Sequence, residues 1–466
     1  MLGLAHLPPE LVLEIISAAL PEGFESLALS CKHIYQLCKP LTKHHNLLRR
    51  QFHRFEYRRR PPPVLEDPLW RPMGNAFDLL ERIAAEPIVA RYIRYADLCW
   101  DNYPTTHSLT PRVPDREAGS PIVDLFANSP YLKLAGLDWR EYYARVAEEY
   151  RSTRFSHHAG VFVLTLLPNA KSLLLPRYWK LTEEIDKLIR AIVGVARQRS
   201  TPYLSPSLAQ LTRFDSNVSS YYGNAVDFIG LRPFLTLPEL RTFHGHGSIA
   251  LDTYGPSQAS FVETLEHAYM TSCCIDEVAM AAFLRSNKRL KTLVYSHSTP
   301  EDAPRRELDV CSFLRLIERE AGSQLERLCF EAYTTHLAPI PGIMSLKQFP
   351  RLRQLVLPLN SFHCHLSHAA SRASKSVDDL TEEDAETLGL RLGDLVPVSV
   401  TELTLLSAGQ VPHDKVLEVL FSGFTATKAA RFRNLEHIIL ACQTDFDPDT
   451  EPTPAYRARC ESLVGG

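Results

Sequence analysis

The sequence predicts an α/β chain, in which a small three-helix module is followed by a long array of short strands alternating with helices. Three observations lead there. Apolar residues between Leu7 and Leu41 recur at helical spacing and are punctuated by Pro8–Pro9 and Leu20–Pro21. From Ile93 onward, a six-residue core of the form apolar-x-x-apolar-x-apolar keeps returning. Amphipathic helical stretches stand between many of its copies.

The N-terminal module comes first. Pro8 and Pro9 suit the opening turn of a helix, where a missing N–H costs nothing, and Glu10 faces its positive end. Leu11, Ile15 and Ala18, with Val12, Ile16 and Ala19 beside them, form a broad apolar stripe. It stops at Leu20–Pro21, and Gly23 marks a turn. A second short helix is expected over Glu25 to Ser30 with Leu27 inward. A third begins near Lys32 with Ile34, Leu37 and Leu41 on one face. A core this small is marginal by itself and leans on a partner.

The next stretch is basic. Lys43, Arg49, Arg50, Arg54, Arg58, Arg59 and Arg60 stand against the single acid Glu56, with Phe52, Phe55 and Tyr57 interleaved. That mixture is the pattern of nucleic-acid contact. The net charge of −3 gives it no support elsewhere, so a solvated helix leading into Pro61–Pro62–Pro63 is the favoured reading.

The repeated core is clearest at Leu352, Leu355 and Leu357, with Asn360 following. Good copies are Leu290/Leu293/Tyr295, Leu325/Leu328/Phe330, Val400/Leu403/Leu405 and Leu435/Ile438/Leu440. Leu265/Ala268/Met270 is weaker, although Cys273 falls on the position of Asn360. Ala170/Leu173/Leu175, Leu211/Phe214/Ser216 and Leu240/Phe243/Gly245 are degenerate, and Ile93/Ala96/Leu98 comes first. Helices are expected over Glu183–Arg197, Ile275–Arg285, Val310–Ala321, Glu382–Leu395 and Lys415–Phe421. Strands alternating with helices imply a parallel sheet covered on one side, stacked unit upon unit. Residues 101–120 read as a surface loop, 359–380 as a polar insertion, and the stretch after Asp445 as a loosely ordered tail.

Composition narrows the function classes. With 45% apolar and 23% charged residues, the chain of 466 residues has ample material for cores. Ten cysteines, none in a C-x-x-C pair, suit reduced thiols in the cytoplasm or nucleus. No apolar run nears the roughly 18 residues that a membrane span needs. Phosphate loops, nucleophile elbows and H-E-x-x-H motifs are absent. His363, Cys364, His365 and His368 offer metal donors, but a solvated His-rich loop is the expected reading. Cys273–Cys274 reads as packing behind a strand.

At residues 4–48 the chain resembles the F-box family, whose opening is matched by Leu7–Pro8, Leu11, Ile15 and Leu20–Pro21. Leu27, Leu29, Cys31, Ile34 and Leu37 match its later apolar and Cys positions, while Ile34–Tyr35 stands where the family often carries Trp or Phe. The repeats resemble irregular leucine-rich repeats, and the layout is similar to the large class of fungal F-box proteins. The resemblance implies an F-box-like domain over 1–48 and a connecting segment over 49–92. An irregular leucine-rich-repeat α/β solenoid over 93–445 and a tail over 446–466 follow. It further implies a non-catalytic, intracellular substrate receptor of an SCF-type (cullin–RING) ubiquitin ligase, without cofactor or metal. Leu7, Pro8, Leu11, Ile15, Leu20, Pro21, Leu27, Cys31, Ile34 and Leu37 would bind a Skp-type adaptor, and through it a cullin. The repeats would hold a protein target at unassigned residues, Arg353, Gln354 and Val356 or Glu326, Arg327 and Cys329 being suited by position. Neither membrane nor nucleic acid is expected as a partner. A binding scaffold that does not promote ubiquitination is the alternative. A metal-dependent enzyme using the His363–His368 segment is the remote one.

Overall fold

The computed structural model describes residues 4, 7–57, 73–101, 119–153, 155–176, 179–198, 206–216, 226–250, 264–298, 308–332, 340–407 and 414–442. The expected linker at 61–63, Arg58 to Arg60, most of the 101–120 loop and the 446–466 tail lie outside them. The chain is α/β, as expected, and divides into two compact units, 1–218 with 230–240 and 219–229 with 241–466.

The first unit opens with helices α1 (Pro9–Ala18), α2 (Phe24–Ala28) and α3 (Lys32–Phe52). Pro9 sits in the first turn of α1, and Cys31 caps α3 by accepting from the Ile34 N–H at 3.5 Å. Helix α3 runs for 21 residues, through Pro40, and so takes up the front half of the basic stretch. Strand β1 (Arg54–Glu56) follows at once and pairs in parallel with β2 (Tyr95–Asp97), then β3 (Ser172–Leu174) and β4 (Arg213–Asp215). Phe55, Ala96, Leu173 and Phe214 stand in register and are buried. The sheet therefore starts ahead of the expected first repeat at Ile93. Phe52, Phe55 and Tyr57 belong to its core, where they cannot be offered to a nucleic acid. Alternation along a strand turns Phe55 inward while Arg54 and Glu56 face out.

In the second unit, β6 (Thr242–His246), β8 (His267–Ile275), β9 (Thr292–His297), β10 (Arg327–Ala332), β11 (Gln354–Pro358), β12 (Glu402–Ser407) and β13 (His437–Cys442) pair in parallel, in that order. Two short strands were not foreseen: β5 (Val226–Asp227) pairs with β7 (Ser248–Ala250), which continues onto the far end of β8. Phe243, Ala268, Leu293, Leu328, Leu355, Leu403 and Ile438 align across the sheet. Every expected core thus coincides with a strand, and its middle residue is buried except at Ile438 on the last one.

The degenerate copies have a packing reason. Gly245 fills the third apolar position of β6 because a Cβ there would lie 2.6 Å from the Phe243 ring. Phe214 stacks on Phe234 at 4.6 Å, and Ser216, two residues on, is fully buried. Helices Glu183–Arg197 and Val310–Ala321 fall where expected. The expected Glu382–Leu395 helix breaks into Glu382–Thr387 and Leu392–Leu395, because Gly389 turns the chain at φ 66°. The expected polar insertion after Leu357 is in fact helix Leu359–Arg372, which buries Leu359, Phe362, Cys364 and Leu366 and has Asn360 as its second residue.

Leu355→Ala should lower stability by about 2–5 kcal/mol, the cost of an unfilled cavity under a closed sheet. Ile438→Ala should cost less, because Ile438 is half exposed already. Urea unfolding of both variants, followed by circular dichroism, reads the difference.

Candidate functional site

The stripe on α1 splits into two faces. Val12 and Ile16 point inward with Leu20, Phe24, Ile34 and Cys38 to form the module's core, joined by half-buried Leu27, Leu37, Leu41 and Ile88. On the other side, Leu7, Leu11 and Ile15 are 38%, 46% and 37% exposed. Leu11 and Ile15, one helical turn apart, are surface neighbours. Leu13, Leu29 and Tyr35 are exposed too. Of the expected adaptor residues, Leu7, Pro8, Leu11, Ile15 and Cys31 are at the surface. Pro21, Leu27 and Leu37 are half buried, whereas Leu20 and Ile34 belong to the core. Leu7, Leu11 and Ile15 thus make an outward apolar row, which the packing of the three helices leaves uncovered.

The three helices are fastened to the rest of the first unit. Ile88, from the helix Ile88–Tyr92 that leads into β2, packs on their core. Buried His45 shares a hydrogen bond with the Tyr92 hydroxyl at 2.8 Å and stacks 4.5 Å from Phe24. Glu22 pairs with Arg91 at 2.6 Å, and the Asn169 amide donates to both Glu22 and the Arg91 carbonyl. His44 meets Glu86 at 2.6 Å, while Arg49 pairs with Glu25 inside the module and is no part of the clasp. Exposed ion pairs add little, so the buried His45–Tyr92 bond and Ile88 matter most. Sequence reading missed this clasp because its members are separated by 42 to 147 positions and form no local pattern.

Register also orders the outward face of the second unit. Arg327, Gln354 and Glu402 form one row, in which the Gln354 amide donates to Glu402 at 3.0 Å. Cys329, Val356 and Thr404 are aligned next, but Cys329 is buried and so is not offered to a target. Arg353 and Glu326, weighed as target contacts, lie exposed at the head of their strands.

Cys273 and His297 are turned inward. Cys273 donates to the Gly245 carbonyl at 3.0 Å, and burial pushes its thiol up to about 12. His297, bonded to Tyr295 at 3.0 Å, is pushed down to about 4 by burial. His363, Cys364, His365 and His368 are spread along a helix instead of gathered by a loop; His365 accepts from the Met344 N–H at 3.0 Å. Among the described residues, no group of three or more His, Cys, Asp or Glu side chains is placed to hold a metal ion. Nor is any described helix long and apolar enough to cross a membrane. No family model matches the chain, and no curated protein matches it.

Burial also pushes the pKa of His45 down, so the folded module keeps it neutral. Such a histidine contributes stability that is complete above about pH 6.5 and is lost as the pH falls below that value. Lowering the pH from about 7.5 to about 5.5 should therefore lower the hydrogen-exchange protection factors of α1 to α3, taken relative to intrinsic exchange at each pH, and His45→Phe should blunt the response. An identical response in the variant would exclude His45 as its source.

Proposed function

We propose that this chain is the target-recognition subunit of an SCF-type (cullin–RING) ubiquitin ligase. On this reading α1 to α3 are an F-box-like module that docks a Skp-type adaptor, and the strand–helix units are irregular leucine-rich repeats that hold a protein target. One observation carries it: Leu7, Leu11 and Ile15, residues that match the family pattern, stand exposed, while their neighbours Val12 and Ile16 close the core. A module this small has no spare apolar side chains, and an outward row of them implies a partner that covers it.

The repeat reading draws support from the shared register of the buried residues and from the variable lengths between them. The role is one of positioning. The receptor holds a target beside the ubiquitin-charged enzyme and raises its effective concentration, doing no covalent chemistry itself. The clasp around His45 and Tyr92 suits that task, since a target is positioned only if the docking helices are fixed to what holds it.

Leu11→Asp should abolish co-purification with the adaptor while leaving the fold intact, because it puts a charge into an apolar interface from an exposed position. Val12→Asp, in the core, should instead unfold the module. Adaptor binding that survives both Leu11→Asp and deletion of residues 1–45 would sink the proposal.

A further inference from the structure

Basic side chains gather at one end of β1 to β4. Parallel pairing places Arg54, Tyr95, Ser172 and Arg213 in one row. The residues just before them, His53, Arg94, Lys171 and Thr212, form the row outside it. These two rows contain four permanent cations, one histidine and no carboxylate. Arg94 donates to the Asn169 carbonyl at 3.3 Å and to Gln210 at 3.4 Å, which fixes its guanidinium without neutralising it. Arg54 lies over the Tyr95 ring at 5.1 Å. Arg213 has a long ion pair with Asp215 at 3.9 Å, and none holds Arg54, Arg94 or Lys171 among the described residues. Two residues further along the strands, Glu56, Asp97 and Asp215 make the opposite end of this face negative. His53 registers the crowding: burial, and then Arg49, Arg94, Arg54 and Lys171, push its pKa down.

We propose that this basic rim binds an acidic segment, a run of Asp and Glu residues, of a protein partner. The proposal rests on the receptor reading only in calling that partner the target. Neighbouring strands lie about 4.8 Å apart, so the four strands present cations across about 14 Å, the span of four or five residues of extended chain. Charge complementarity calls for an anionic partner, and the scarcity of exposed rings favours a peptide over a nucleic acid. Stacking successive bases needs several exposed rings, and Phe52, Phe55 and Tyr57 are buried, which leaves Tyr95, 41% exposed with Arg54 over its ring, as the one such ring in the two rows.

The test uses the full chain and a fluorescein-labelled octaglutamate peptide, read by fluorescence anisotropy. The wild type should bind at low salt and release the peptide at high salt. Lys171→Glu combined with Arg213→Glu should weaken binding about tenfold or more, and Lys171→Ala alone by less. Both positions are exposed, and a thermal melt matching the wild type verifies the fold. No binding by the wild type, salt-independent binding, or unchanged affinity in the double variant overturns the proposal. So does a single-stranded oligonucleotide of equal charge that displaces the peptide better than unlabelled octaglutamate does. Adaptor co-purification of the same proteins separates the two readings. If the adaptor fails to bind the wild type while the double variant loses the peptide, the rim assignment stands and the ligase reading falls.

Discussion

One backbone step repeats from strand to strand, and the rest of the structure depends on it. At the head of most strands, two successive N–H groups donate to one carbonyl just before the preceding strand. Arg94 and Tyr95 donate to His53 in this way, and Lys291 and Thr292 to Glu266. Glu326 and Arg327 do so to Lys291, Arg353 and Gln354 to Glu326, and Thr401 and Glu402 to Arg353. Each strand takes its register from its predecessor alone. Because side chains alternate, a slip of one residue would expose every buried middle residue and bury its charged neighbours, so the step is held firmly.

That local rule explains the irregular spacing. What lies between two strands need only return the chain to the next carbonyl, and closing a longer loop costs little more than closing a short one. Leu265 and Leu290 are reached with little to spare, whereas Ile93 and Ala170 are separated by several helices.

The same rule decides how much was legible in the sequence. Every strand from β2 onward that carries a buried triplet could be read, because two or three large apolar residues at fixed spacing leave a trace. β1 could not, since Phe52, Phe55 and Tyr57 sit among arginines that mask the apolar signal. The helix at Leu359–Arg372 was hidden for the opposite reason: it buries His365 and Ser361 along with Leu and Phe, and these looked like loop composition. In the N-terminal helices the apolar stripe was legible as a whole. Its division into an inward Val12–Ile16 side and an outward Leu11–Ile15 side was not, because residues one position apart have the same character. The clasp around His45 left no signal, being a product of tertiary contact between distant residues.

Helix α3 begins where Ile34 packs with Val12 and Ile16 of α1 and runs to Phe52, and one residue separates its end from β1. Its 21 residues make it about 30 Å long, and its phase is therefore shared by both ends. One residue added to its middle would turn one end against the other by about 100° and advance it by about 1.5 Å. Ile34 and Phe52 could then no longer both face their cores. The length of this helix is for that reason a discrete quantity, able to change only by whole turns, and it acts as a gauge between the docking helices and the first strand.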